Sequence, residues 1–225
     1  MKRHWKKILV LMVALLFPLW VFGDPPVYFA KEIHGQVVDA ESGQALEGVV
    51  VVASWEPCWI GIGHGGDCGG SINTLEAVTD KEGKYLIPGW GPRPRLPFSF
   101  LSHLDPVLRF FKSDFYPQGL SNRLYSYENH NRSMTRKSEW DGKAIKLKPF
   151  KGDDWADYGS QVSYSWSSGG SDCVRECPRY VLALDAESKR IKAAAPKVWS
   201  TMSSVDIENF YDGDRKFLKR FNDEK

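Results

Sequence analysis

The run Val49-Val50-Val51-Val52-Ala53 constrains this chain more than any other segment. β-Branched side chains lose rotamer freedom in a helix and pack well on a pleated sheet, so the run reads as a strand. Successive strand residues point to opposite faces, and here both faces are apolar. The run therefore predicts a strand buried on both sides.

The neighbouring text supplies partners for such a strand. Ile33, Gly35 and Val37 alternate with His34 and Gln36, and Asp39–Gly43 follows as a turn in which Gly43 can take a positive φ. Ala77-Val78-Thr79, the turn Asp80–Gly83 and Lys84–Pro88 read as a hairpin. Pro97–Leu101, Val107–Lys112 and Lys143–Leu147 add further strands, and residues 113–142 form a long polar excursion between two of them. Many short strands joined by Gly- and Pro-rich turns predict a mainly β fold, an antiparallel Greek-key sandwich over residues 27–150. After Pro149 the period changes. Trp155, Tyr158, Val162 and Trp166 keep helical spacing, and Pro178 can open a helix whose face carries Tyr180, Leu184, Glu187 and Ile191. Asp185 and Lys189 form an i,i+4 pair on it, and Phe217, Leu218 and Phe221 can dock a last short helix. Residues 151–225 are thus expected to be a helical appendage.

The first 23 residues carry a targeting signal. Lys2, Arg3, Lys6 and Lys7 precede an uncharged stretch from Ile8 to Gly23, with small residues where a cut would fall. The stretch is shorter than the roughly 20 apolar residues that span a bilayer comfortably, and Pro18 interrupts it. Residues 1–23 are read as a signal peptide or, uncleaved, as a membrane anchor. Either places the rest outside the cytoplasm, in the periplasm or anchored to the inner membrane facing it. Losing these residues removes four basic groups and no acidic one, so a formal charge of +2 becomes −2. That near-neutral balance excludes the basic stripe of a nucleic-acid binder.

Cys58, Cys68, Cys173 and Cys177 make an even set in an exported chain, which favours disulfides. Three connectivities exist, and nearness in sequence favours Cys58–Cys68 and Cys173–Cys177.

Residues Ile33–Val51, reading IHGQVVDAESGQALEGVVV, resemble the opening of a carboxypeptidase regulatory-like domain. Glu76–Tyr85, reading EAVTDKEGKY, resembles the T-D-x-x-G-x-[YF] segment of that family, and Asp105–Pro117 is similar to its late strand without the family's glycine. The resemblance implies a transthyretin-like, prealbumin-type seven-stranded sandwich that serves as an accessory or binding module and brings no catalytic residues. Residues 150–225 fall outside it and are similar to tails of exported bacterial proteins that pair the sandwich with a Cys-containing helical segment.

Chemistry-bearing motifs are few. Gly61-Ile62-Gly63-His64-Gly65-Gly66 has the letters of a dinucleotide loop, but Asp67-Cys68-Gly69-Gly70 follows where a helix would have to start. His64, Asp67, Cys58 and Cys68 could be gathered around zinc, though at no finger or ribbon spacing, and oxidised cysteines would not ligate. His34, His103 and His130 begin no metallopeptidase motif, and no Gly-x-Ser-x-Gly elbow occurs. Asp153/Asp154 and Asp212/Asp214 are more simply read as helix caps or solvated loops. Asn131-Arg132-Ser133 has the letters of a glycosylation sequon. No catalytic, metal or cofactor site is expected. The remaining candidates are tryptophans. Trp55, Trp59, Trp90, Trp140, Trp155, Trp166 and Trp199 either seal the sandwich and dock the helices or grip a ligand, with Trp59, Trp90 and Trp140 as candidate ligand contacts. These features point to a non-enzymatic envelope module whose partner is a protein, or alternatively a glycan such as peptidoglycan.

Overall fold

The computed structural model describes residues 26–59, 68–97, 99–102, 104–122, 134–166, 173–200, 210 and 212–224. Twelve strands come first: β1 (Val27–Ala30), β2 (Ile33–Asp39), β3 (Val50–Trp55), β4 (Pro57–Trp59), β5 (Asn73–Val78), β6 (Lys84–Ile87), β7 (Trp90–Pro94), β8 (Ser99–Leu101), β9 (Val107–Phe111), β10 (Gln118–Leu120), β11 (Thr135–Arg136) and β12 (Lys143–Leu147). Helices α1 (Trp155–Ser165), α2 (Pro178–Ala194), α3 (Pro196–Trp199) and α4 (Asp212–Asp223) follow. The chain is mainly β, an open sandwich-like arrangement with a C-terminal helical part. The N-terminal segment read as a signal peptide or anchor, the Gly-rich loop with His64 and Asp67, His103, His130 and the Asn131 sequon lie outside the described residues.

The back sheet has the order β10-β9-β3-β5, antiparallel throughout. The front layer has β12-β2-β6 and, further along, β11-β1-β7. β12 runs parallel to β2, and β11 parallel to β1, so the front layer is mixed at this edge. The stretch expected as a hairpin is not one. β5 pairs with β3 while β6 pairs with β2, so the Asp80–Gly83 turn carries the chain from one sheet to the other. Thr79 explains the change of partner. Its buried hydroxyl donates to the Leu46 carbonyl (2.6 Å) and accepts from the Val49 N–H (2.8 Å), which ties the end of β5 to the approach to β3. Asp80 then accepts from the N–H groups of Glu82 and Lys84, closing the turn.

β3 is buried along its whole length, as its composition demands. Val51, Ala53 and Trp55 of β3 and Leu108 and Phe110 of β9 face the front layer, where Tyr28, Ile33, Val37, Tyr85, Ile87, Ile145 and Leu147 complete the main core. Val50 and Val52 face the other way. With Phe111 they enter a second core built from Tyr158, Val162, Tyr180, Val181, Leu184, Ile191 and Leu218 of the helices. The helical part is thus the outer cover of the back sheet. Both disulfides, Cys58–Cys68 and Cys173–Cys177, are formed, and the second lies inside this second core.

Candidate functional site

Among the described residues the helices do not cover the whole back sheet. Beside β10 a cleft of about 550 Å³ opens towards α1. Its walls are Val107 and Arg109 of β9, the run Pro117–Ser121, Glu56, Leu104, and Gln161, Tyr164 and Ser165 of α1. An adjoining hollow of about 230 Å³ shares Pro117, Gln118 and Gln161 and is completed by Tyr116, Lys146 and Lys148. Strand residues alternate between faces. Val107 and Arg109 share one face of β9, so the cleft lies over the outer face of the back sheet and reaches its border at β10. Among the described residues β10 pairs only with β9.

A buried charged group forms the floor. Arg109 donates to Ser54 Oγ (2.6 Å) and to Glu56 Oε1 (2.9 Å). The Glu56 N–H donates to Asp105 Oδ2 (3.2 Å), and Asn122 Nδ2 donates to the Asp105 carbonyl (2.7 Å). Burial holds the Asp105 carboxyl well above the ordinary carboxylate range, against the pull of its hydrogen bond from Glu56 and of Arg136 and Arg109. Tyr164 stands at the rim, 72% exposed, beside Gln161, whose amide is held by Asp157. Lys146 and Lys148 flank the smaller hollow, the latter 4.8 Å above the Tyr116 ring.

Two carboxylates bind the helices to the sandwich. Glu76 on β5 is raised above its usual range chiefly by burial, yet it accepts the Tyr180 N–H (2.9 Å) and a hydrogen bond from Arg179 (3.1 Å). It caps the first turn of α2, where the N-cap residue Cys177 provides no side-chain bond. Glu187, 2% exposed, accepts from Ser113 Oγ (2.7 Å), Tyr158 Oη (2.8 Å) and the Arg190 guanidinium. Arg190 also reaches Asp114 and lies over the Trp155 and Tyr158 rings. Sequence reading placed Glu187 on the packed face of the helix. It missed the hub, because Ser113 and Tyr158 are distant in sequence and carry no motif. The cleft was equally hidden, since β10 lies within the stretch read as a polar excursion.

The tryptophans do not form one surface. Trp59 ends β4 and is 39% exposed. Trp90 stands edge-on to the buried Trp55 at 5.2 Å and packs on the main core. Trp140 packs on the same core, donates its Nε1–H to the Ser121 carbonyl (2.9 Å) and sits under Lys143. None of the three lines the cleft beside β10. Trp155 and Trp166 meet Phe150 and Phe210. Asp154 caps α1 through the Asp157 N–H, Asp212 pairs with Arg215 and Lys216, and Asp214 pairs with Arg175. Among the described residues no three His, Cys, Asp or Glu side chains group as metal ligands, and no helix is long and apolar enough to cross a membrane. A further groove of about 690 Å³ between Gly48, Val50 and Val78 and the helix residues Arg179, Leu182 and Ala183 is mostly aliphatic, and its one charge is paired with Glu76.

Fold and site define a class, an open β-sandwich-like arrangement with a helical cover over one sheet. No family model matches the sequence, and no curated protein matches it. Among solved structures, a Streptococcal ancillary pilin is 9% identical at a TM-score of 0.26, over 56% of this chain and 30% of that one. Chlorocatechol 1,2-dioxygenase from Pseudomonas putida is 13% identical at a TM-score of 0.29, over 56% and 61%. A 9R-lipoxygenase from Cyanothece is 15% identical at a TM-score of 0.23, over 76% and 27%. The chain covers less than two thirds of each of these structures, and likenesses this weak carry no argument about function.

Proposed function

We propose that this protein is a non-catalytic, exported module of the cell envelope that works by binding another protein, built on a sandwich of the carboxypeptidase regulatory-like type. The observation that carries this reading is the uneven cover of the back sheet. Helices seal Val50, Val52 and Phe111 but, among the described residues, leave a cleft of mixed polar and apolar lining beside β10. Two disulfides and a basic, apolar leader support an oxidising compartment. The test is photo-crosslinking in intact cells, with the crosslinker placed at positions along 117–121 or on the outer face of β2. Repeated capture of one envelope protein from the cleft positions alone is the expected result. An empty capture from every position overturns the reading.

Glycan binding is the second reading, favoured by the exposed indole of Trp59. It requires a saccharide to quench tryptophan emission in the wild type and not in Trp59→Ala. A broad glycan panel without effect removes it.

A further inference from the structure

The chain enters the described fold at Pro26, and the pairings around that point bring a particular set of side chains to one rim. The Arg95 N–H donates to the Pro26 carbonyl (2.9 Å), and Val27 lies opposite Pro94 on β7. β7 is exposed from Gly91 to Pro94, and Leu96, 40% exposed, and Pro97 continue the exposed run. The Ser99 N–H donates to the Leu96 carbonyl (3.2 Å), and Ser99 lies opposite the exposed Trp59 at the end of β4. Arg93, Arg95, Leu96 and Trp59 therefore belong to the end of the sandwich at which the chain arrives. Arg93 also donates to a neutral group, Asn73 Oδ1 (3.2 Å). Asp24 is the one acidic residue among positions 24–27, 59 and 93–97, set against two arginines. Indole, aliphatic and guanidinium groups together make the chemistry of a membrane–water boundary. The indole suits the headgroup level, and the cations are drawn to anionic lipid.

The sequence ahead of Pro26 says what lies beside this rim. The uncharged stretch Ile8–Gly23 is separated from Val27 by Asp24, Pro25 and Pro26 alone. Three residues reach about 10 Å at full extension, so whatever holds the stretch lies that close to the rim. The basic residues before the stretch favour a cytoplasmic start, which sends Asp24 out on the opposite side of the bilayer. A span shorter than the hydrocarbon core thins the bilayer and draws its flanking residues into the headgroup layer. We infer that residues 8–23 stay in the membrane and that the rim of Arg93, Arg95, Leu96 and Trp59 rests on the anionic phospholipid surface from which they emerge. The sandwich is then held by its β7 end with a fixed face towards the lipid, and not swung freely on a tether. This goes beyond the protein-binding reading and uses none of the residues of the cleft beside β10.

The experiment reconstitutes the full chain in phosphatidylcholine vesicles with and without phosphatidylglycerol. A phospholipid carrying a diazirine next to its headgroup is included, and adducts are mapped by peptide mass. In the anionic vesicles adducts should concentrate at Trp59 and positions 93–97. They should fall about fivefold in the neutral vesicles, a comparison made on the wild type alone. Arg93→Glu/Leu96→Ser, at two exposed positions, should lower them about tenfold in anionic vesicles. Adducts spread evenly over the described surface, or centred on the basic face of α4, overturn the inference. Rim adducts equal in both lipids and in the double variant overturn it as well, since a tether alone would then account for them. So does a chain recovered from cells with Asp24 as its first residue. Each of these results leaves the crosslinks from positions 117–121 untouched, so the protein-binding reading stands or falls separately.

Discussion

Glu187 joins three parts of the chain through one side chain, since Ser113 follows β9, Tyr158 belongs to α1 and Arg190 lies on α2. Glu187→Ala would leave the buried Tyr158 phenol without its acceptor and the Arg190 guanidinium with Asp114 alone. Its cost should be about 2–3 kcal/mol, against about 1 kcal/mol for Ser113→Ala, read from urea unfolding midpoints. Asp105 gives a pH dependence of definite sign. Its folded pKa is raised, mainly by burial, so the stability it contributes is complete below about pH 4 and is lost as pH rises through the folded value. Asp105→Asn keeps an acceptor for the Glu56 N–H and removes the ionisation. Its melting temperature should exceed that of the wild type at pH 8 and converge with it near pH 4. Equal melting curves at both pH values would mean that the two arginines compensate the charge fully. Tyr85 is a simpler case. Its hydroxyl is buried without a partner against Gly35, and burial pushes its pKa up to about 12. Tyr85→Phe removes an unsatisfied group and should be neutral or stabilising by up to about 1 kcal/mol in the same titration.

Among the elements, the turn between β5 and β6 shows what local pattern does and does not specify. Asp80, Gly83 and the flanking strands were legible, because turn chemistry is set by neighbouring residues. The identity of each strand's partner was not legible, because it depends on Thr79 bonding to Leu46 and Val49 some thirty positions earlier. Gly83 has φ +71°, and a Cβ there would come within 2.5 Å of the Val37 carbonyl, so Gly83→Ala should cost more than about 1 kcal/mol in thermal unfolding. The same distinction separates the strand readings that were right from the one that needed revision. The alternation in β2 and β12 identified strands, but nothing in the letters of Lys143–Leu147 says that it runs parallel to Ile33–Asp39. Helix α2 was legible from Pro178 and its apolar spacing, whereas its cap was not, since Glu76 lies on another element a hundred positions away. Tryptophans beside Gly and Pro left two readings open, sealing the sandwich or gripping a ligand. Trp90 and Trp140 pack on the main core, where large rings at the end of a sandwich fill the gap between its sheets.

At the scale of the molecule, the two cores share β3 and β9, so the sheet and its helical cover should lose structure together. Far-ultraviolet dichroism and tryptophan emission should give coincident denaturation curves. A chain ended after Pro149 would expose Val50, Val52 and Phe111 on a bare sheet face and should associate, which light scattering would register. The valine run announced this arrangement, since a strand apolar on both faces needs a second layer behind it. What it could not announce is where that layer stops, because the cleft is a gap between elements and no residue in it has unusual chemistry. The position of Glu76 also imposes an order of events. The carboxylate that receives the first turn of α2 arrives on β5, which is synthesised a hundred residues before Tyr180. As the chain emerges, its earlier half can lay down a sheet already carrying the acceptor and the apolar groove on which the later half condenses. The sandwich would then act as a template for its own lid. A permuted chain that delivered the helices first would have to fold them without that guide.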